Sequence, residues 1–399
     1  MKRIKLLLLG IGFPLIIFAA AVCVFGQDDN LNQRLAKRVV KSADVKPGDV
    51  VIITGGRHMI PLMEDVAIEV QMAGAFSNMW LSSDRVTRAV FIDEPEQFLG
   101  QKNTYTEDWL KKANVLIRLP REEDSAKLYA DVPQARLAKF QAASDNSADA
   151  INSLPVRVVR IILPSPSDAA LAGTDLATLR NMYLSAINAD YEQMFQKGTK
   201  LRSLLAAGKQ VRITDPSGTD FSFSLAPQRL IVVERGIVSQ ENVQSKFFFD
   251  RRASLPAGMV SFAPVETSGT GRLVIAKDWC GDLQIKDSKV EFKNGKLANY
   301  SAATNGKCFN EWLRANSGPA DMLGSVSIGL NPEMKIMSDG ERNFFPDKAE
   351  GLVYINIGDN SPYGGTNHVP TGNGWGWAIP NATVTVDGKV IVKDGKLVL

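Results

Sequence analysis

Side chains that could bind a divalent cation are scarce in this chain. It has two histidines, His58 and His368, in 399 residues. His368 follows the carboxylates Glu266 and Asp359, and these three could together hold Zn²⁺, Co²⁺ or Mn²⁺, because imidazole and carboxylate groups suit such ions. In the alternative that we favour, His368 is an exposed loop residue and no metal cofactor is bound.

Other catalytic arrangements lack their defining residues. Residues 324–329 (GSVSIG) do not satisfy the G-x-S-x-G pattern of a serine nucleophile. Residues 54–56 (TGG) follow a predicted strand without the glycine spacing or the Lys-Ser/Thr pair of a phosphate-binding loop. The sequence therefore offers no assembled nucleophile and base, and we identify no catalytic residue with confidence.

Glycines alternate with indoles over residues 372–377 (GNGWGW). Trp375 and Trp377 could bind a ligand, because tryptophan presents a large stacking surface. In the other interpretation, which we favour, the segment is a glycine-rich loop whose two indoles fill the cavity of a lost metal site.

The N-terminus has the pattern of an export signal. Lys2, Arg3 and Lys5 precede an apolar stretch over residues 6–25, and polar residues follow Gly26. We predict a signal peptide over residues 1–26 and a periplasmic or extracellular protein. An uncleaved anchor, or a lipoprotein modified at Cys23, remains the alternative.

Charge gives little indication of a macromolecular partner. The formal net charge is +3, and the three basic residues of the predicted signal peptide account for it. A mature chain near neutrality is not typical of a protein that binds nucleic acid or an anionic membrane surface. We therefore expect no nucleic-acid partner and no membrane contact after signal cleavage.

Two cysteines, Cys280 and Cys308, remain in the predicted mature chain. In an exported protein such a pair can form a disulfide, and this is the pairing we predict. Two free thiols are the alternative.

The predicted elements divide the mature chain into two parts. Over residues 27–205, helical segments alternate with short apolar strands, a pattern typical of parallel β-α-β units. Over residues 206–399, strands are separated by turns such as 294–295 (NG), 387–388 (DG) and 394–395 (DG), which favour hairpins. We predict an α/β N-terminal domain with a mostly parallel sheet and a β-rich α+β C-terminal domain.

Several of these segments carry a family resemblance. Residues 255–259 (LPAGM), 323–329 (LGSVSIG), 351–360 (GLVYINIGDN) and 364–367 (GGTN) come in this order. They resemble, in the same order, the metal-binding signatures of the aminopeptidase T family of dinuclear metalloaminopeptidases. Residues 45–52, 211–220 and 384–388 are similar to further family segments, so the resemblance covers nearly the whole mature chain.

The resemblance implies a fold and an activity. Members of the aminopeptidase T family combine an α/β N-terminal domain with a β-rich domain that carries the metal site, commonly as a homodimer. Two cations and a bridging water there release N-terminal amino acids from peptides, and the expected ligands are two glutamates, a histidine and a His-x-Asp pair.

This chain departs from that pattern at each ligand position. The aligned positions hold Met259, Ser325, Tyr354, Gly372 and Gly374, and the family's tyrosine aligns with Ser361. A thioether, a hydroxyl, a phenol and two glycines are poor ligands for such cations. We therefore expect a catalytically degenerate protein that binds a peptide or small molecule or acts in an assembly. An active aminopeptidase with a rearranged centre of Glu266, Asp359 and His368 is the alternative.

Overall fold

The computed structural model describes residues 31–101, 104–133, 135–137, 139–140, 154–245, 248–281, 283–336, 346–369 and 374–399. The predicted signal peptide and Gly372 lie outside these described ranges. Within them, no helix is both long and apolar enough to cross a membrane.

A parallel sheet forms the centre of the N-terminal half. Its strands are Val50–Gly56 (β1), Phe76–Ser82 (β2), Val115–Arg118 (β3), Arg157–Ile161 (β4) and Arg252–Leu255 (β8). They lie in the order β2-β1-β3-β4-β8, and every neighbouring pair is parallel. The apolar residues of β1, β3 and β4 are largely buried, as expected of strands covered on both faces.

Helices cover this sheet and lead to the second half. Their bounds are 31–42 (α1), Ile60–Met72 (α2), Asp84–Asp93 (α3), Thr104–Leu110 (α4), Ser125–Tyr129 (α5), Pro166–Leu171 (α6), Leu176–Ile187 (α7) and Tyr191–Ala207 (α8). Helix α8 begins at a capping residue, Asp190, whose carboxylate accepts the backbone N–H of Gln193 at 3.0 Å.

Two antiparallel sheets form the β-rich half. The larger contains Gln210–Thr214 (β5), Asp220–Ser224 (β6), Thr270–Cys280 (β10), Leu283–Lys293 (β11), Lys296–Ser301 (β12), Thr383–Val386 (β16), Lys389–Lys393 (β17) and Lys396–Leu397 (β18). The smaller contains Ile231–Val233 (β7), Met259–Phe262 (β9), Leu323–Gly329 (β13), Val353–Gly358 (β14) and Gly374–Ile379 (β15), in the order β15-β14-β13-β9-β7. The predicted fold class is confirmed.

The predicted Asn-Gly and Asp-Gly turns connect β11 to β12, β16 to β17 and β17 to β18. Both residues of each turn have positive φ, for example 52° at Asn294 and 73° at Gly295. This conformation favours glycine, and it matches the twist of the paired strands. A Cβ atom at Gly295 would also lie 1.5 Å from the carbonyl oxygen of Glu266, so this turn needs glycine for space as well.

The N-terminal half and the β-rich half share a sheet and a core, in addition to the chain connection at residue 205. Strand β8 comes from the second half of the sequence, yet it completes the parallel sheet beside β4. The main apolar core includes residues of both halves, such as Ile117, Leu201 and Val260. The boundary between residues 205 and 206 stays a prediction.

A helix and a disulfide close one side of the β-rich half. Helix α9 (Lys307–Ala315) begins beside Cys308, which forms a disulfide with Cys280 at the end of β10, with Cα atoms 6.4 Å apart. Phe309 of this helix is buried, and its ring centroid lies 5.1 Å from that of Trp375 and 5.6 Å from that of Trp377.

A buried ionic network ties together the loops around the smaller sheet. Glu266, between β9 and β10, accepts hydrogen bonds from Arg229 Nη2 at 2.7 Å, Asn360 Nδ2 at 3.0 Å and the Thr366 backbone N–H at 2.6 Å. Burial alone would raise the pKa of Glu266. The guanidinium of Arg229 and the N–H donors outweigh this effect and lower the pKa to about 2.

This network predicts a pH-dependent loss of stability in Glu266→Gln. Gln keeps the shape but not the charge, so we expect the free energy of unfolding to fall by about 1–3 kcal/mol at pH 7. The folded pKa is about 2 and the ordinary value is 4.5. The ionised group therefore stabilises the fold above pH 4.5, and its contribution is lost as the pH falls from 4.5 towards 2.

Urea unfolding of both proteins at several pH values measures this difference. Glu291→Gln, at an exposed position on β11, is the matched control and should leave stability unchanged. A Glu266→Gln protein as stable as the wild type at pH 7 would contradict the structural role of the network.

Candidate functional site

Four of the aligned positions lie on one face of the smaller sheet. Tyr354 is the register partner of Ser327, which is in turn the partner of Ser261, two residues after Met259. Gly374 pairs with Gly358, four residues after Tyr354. Because side chains alternate along a strand, these residues point to the same side. We call this surface, with Met259, Ser325, Tyr354 and Gly374, the motif face.

Ser325 belongs to the motif face through a hydrogen bond. A β-bulge interrupts the register between Leu323 and Val326, so strand pairing alone does not orient Ser325. Its Oγ accepts a hydrogen bond from Asn356 Nδ2 at 3.3 Å, and Asn356 lies two residues after Tyr354. The position-by-position alignment with the family signatures therefore converges on a single place in the fold.

The polar groups of the motif face are neutral, and its serine hydroxyls are hydrogen-bonded. The hydroxyls of Ser261 and Ser327 are buried and lie 2.9 Å apart. Burial raises the pKa of Tyr354, so its phenol stays protonated. The ring of Tyr354 occupies space next to Gly376, where an added Cβ would lie 2.3 Å from it. No described residue at an aligned position offers a carboxylate or an imidazole.

Two of the three alternative metal ligands come together. His368 Nδ1 lies 3.4 Å from Asp359 Oδ2, and the His368 side chain is 77% exposed. Asp359 also accepts hydrogen bonds from the Ser361 hydroxyl at 2.7 Å and from the Val369 backbone N–H at 2.9 Å. Ser361 is therefore held by this carboxylate.

Glu266, the third member, is held by its own partners. Both of its carboxylate oxygens already accept hydrogen bonds from Arg229, Asn360 and Thr366. In the part of the chain that the structure describes, no three His, Cys, Asp or Glu side chains are arranged to hold a metal ion. The donors present therefore do not fit the dinuclear centre that the resemblance implies.

Trp375 and Trp377 point away from the motif face. They pair with Ile357 and Ile355, whereas Tyr354 and Asn356 pair with Ala378 and Gly376. Trp377 is fully buried in the core, and Trp375 Nε1 donates to Asp278 Oδ2 at 2.9 Å. Burial raises the pKa of that carboxyl to about 6. The indoles fill the interior between β15 and α9, on the side of the sheet away from the aligned ligand positions. The interpretation that they fill the cavity of a lost metal site is therefore wrong.

A cavity of about 400 Å³ adjoins the motif face at Met259. We call it the Met259 cavity. Its charged lining is mixed, with carboxylates (Glu234, Asp250, Asp347) and cations (Arg160, Arg202, Arg235, Arg252, Lys348). Lys348 Nζ and the Gly258 backbone N–H both donate to Glu234 Oε2, at 2.5 and 3.0 Å. This ion pair keeps Lys348 charged: Glu234 raises its pKa although burial works to lower it.

Sequence reasoning missed three residues of this region. Glu234 and Lys348 are 114 positions apart, and no local pattern links them. Tyr363 lies two residues after Ser361 in the same short 3₁₀ turn, and its phenol is hydrogen-bonded to Ser261. Burial raises the pKa of Tyr363, against the opposing effects of Ser261 and Lys348. The closeness of Tyr363 to Ser361 in the sequence was the available signal for this second phenol beside the motif face.

Solved structures share this fold. Wild-type AmpT from Thermus thermophilus aligns with a TM-score of 0.74 and 17% identity, over 93% of this chain and 99% of that one. The 2,5-dihydroxypyridine dioxygenase from Pseudomonas putida KT2440 aligns with a TM-score of 0.61 and 14% identity, over 93% and 97%. Identities this low establish the fold alone. The comparison with curated proteins gives no match.

A family model decides the membership. The model described as thermophilic metalloprotease (M29) matches residues 28–344, which is most of the chain. The match includes the segments that place Met259 and Ser325 on the motif face. The chain therefore belongs to the thermophilic metalloprotease (M29) family, as its aminopeptidase T-like signatures and fold indicate.

Proposed function

We propose that this M29-family chain binds a peptide-like ligand without hydrolysing it through the family's dinuclear centre. The observation that supports this most strongly is the chemistry of the motif face. Met259, Ser325, Tyr354 and Gly374 converge there, and none supplies the anionic or imidazole donor that a dinuclear metal site needs.

The Met259 cavity is the proposed binding place. Its size suits a small molecule, since ligand pockets usually have volumes of a few hundred Å³. Its lining holds both carboxylates and cations, so a zwitterion with a free amino group and a free carboxylate can find a partner for each charge. Free amino acids and short peptides have this chemistry.

An active metallo-aminopeptidase is the second candidate. The contact between His368 and Asp359 favours it, because an imidazole beside a carboxylate is a common half of a metal site. The hydrogen bonds of Glu266 weigh against it, since a metal would have to displace Arg229, Asn360 and Thr366.

The first test measures metal and activity together. We expect the purified protein to hold less than stoichiometric metal by elemental analysis. We also expect no hydrolysis of a leucine chromogenic amide above the blank, with or without added Co²⁺, Zn²⁺ or Mn²⁺. Light scattering on the same sample measures the oligomeric state, for which the family resemblance suggests a homodimer.

Stoichiometric metal with turnover that EDTA abolishes would overturn the proposal. In that case His368→Ala should remove the turnover, because His368 would supply the imidazole of the centre. Asn373→Ala is the matched control, because Asn373 follows His368 closely in the sequence and is not one of the three proposed ligands. An unaffected His368→Ala enzyme would reject the rearranged centre as well.

The second test concerns the cavity. We expect Leu-Gly-Gly to bind the wild-type protein in isothermal titration calorimetry. Met259→Trp should weaken that binding by about tenfold or more, because the indole fills space next to the motif face. Met72→Trp is the matched control, since Met72 is 79% exposed on α2. Absence of binding to the wild type, or equal binding by both variants, would contradict the proposed place.

Export is the third part of the proposal, and the basic and apolar N-terminus supports it. We expect residues 1–40 to direct a reporter enzyme out of the cytoplasm, and a fusion lacking residues 2–26 to fail. Mass spectrometry of the exported chain should give Gln27 as its first residue. A lipid-modified Cys23 would instead indicate a lipoprotein, and an intact N-terminus would indicate an uncleaved anchor. Either result would contradict cleavage after Gly26.

A further inference from the structure

Three arginines lie on one face of the parallel sheet. Arg118 on β3 and Arg160 on β4 are register partners, and Arg160 is also the partner of Ser254 on β8. Arg252 precedes Ser254 by two residues and so points to the same side. We call Arg118, Arg160 and Arg252 the arginine row. Neighbouring strands are about 4.8 Å apart, so the row gathers positive charge in a small area.

Two members of the row, Arg118 and Arg160, have no acidic partner within the described ranges. Among the described residues, no salt bridge joins Arg118 or Arg160 to an acidic side chain. Burial and the positive charges of Arg160 and Arg121 lower the pKa of Arg118. Burial, Arg160 and Arg118 lower the pKa of Arg252 to about 10, with Glu234 acting in the opposite direction. The fold therefore holds like charges together at a cost.

A cavity of about 490 Å³ opens over Arg118 and Arg160. The carboxylates that line it accept hydrogen bonds from groups other than these two arginines. Asp84 accepts the backbone N–H of Glu123 at 3.0 Å, Glu122 accepts the hydroxyl of Tyr129 at 2.8 Å, and Asp168 caps α6 through Ser165. Three guanidinium groups line this cavity, those of Arg118, Arg121 and Arg160. Arg121 donates to the Ser82 hydroxyl at 3.0 Å, whereas Arg118 and Arg160 are adjacent register partners on the sheet.

We propose that this cavity binds a small molecule through an oxyanion group, a carboxylate or a phosphate, held by Arg118 and Arg160. A guanidinium group donates two parallel hydrogen bonds to a carboxylate or a phosphate. Two adjacent guanidinium groups can therefore bind one oxyanion together. Ser82 and Ser165 line the same cavity, so hydroxyl groups accompany the pair. The proposal does not rest on peptide binding in the Met259 cavity: Arg160 lines both cavities, but Arg118 lines only this one of the two.

Isothermal titration calorimetry of the full chain with inorganic phosphate and with citrate tests the proposal and distinguishes the two oxyanions. The ionic strength is matched with NaCl. We expect saturable binding of at least one anion by the wild type. The double variant R118Q/R160Q should bind that anion at least about tenfold more weakly, because it loses both charge-assisted pairs. R314Q removes the same kind of charge from exposed α9 and should bind as the wild type does.

Thermal unfolding gives an independent readout. Without anion, R118Q/R160Q should melt at or above the wild-type temperature, because the repulsion within the row is removed. The anion should raise the melting temperature of the wild type and of R314Q but not that of R118Q/R160Q. If the double variant does not fold, R160K replaces it: lysine keeps the charge and loses the bidentate geometry, so weaker binding is expected. Equal binding by R118Q/R160Q and R314Q, or no saturable binding by the wild type, would overturn the proposal.

Discussion

The β-rich half depends on one buried carboxylate. Glu266 lies between β9 and β10 and receives donors from Arg229 before β7 and from Asn360 and Thr366 after β14. Three loops that are far apart in the sequence are thereby fixed at the rim of the smaller sheet. A buried charge is costly unless its partners are in place, so the same interaction that joins these loops also restricts what they can become. A metal ion at this carboxylate would have to compete with Arg229, Asn360 and Thr366, because each of its oxygens already accepts a hydrogen bond.

The family fold and the family chemistry are separable here. The smaller sheet keeps the strand order and turns that bring four signature positions to the motif face, while the side chains at those positions lack ligand character. The 2,5-dihydroxypyridine dioxygenase with the same fold makes the same general point, because a dioxygenase is not a peptidase. The function of this chain must therefore be argued from its own residues.

Local patterns predicted much of the fold. Helices alternate with the parallel strands in the first half as expected, and the Asn294-Gly295 turn forms the expected hairpin, because periodicity and turn chemistry act over a few residues. The addition of β8 to the parallel sheet and the pairing of Glu266 with Arg229 were not predictable, because they join segments that are distant in the sequence. The orientation of Trp375 and Trp377 could have been predicted from the sequence. Side chains alternate along a strand, so Trp375 and Trp377 share one side and Gly374 faces the other.

That orientation also has a spectroscopic consequence. Trp375 and Trp377 pack beside Phe309 in the interior, on the side of the sheet away from Met259. Their emission reports on the packing of α9 against β15, so it changes when this half of the protein unfolds. A ligand at the motif face leaves their surroundings largely as they are. Emission from these two of the six tryptophans is therefore a gauge of folding, and a label on the motif face would be needed to follow occupancy.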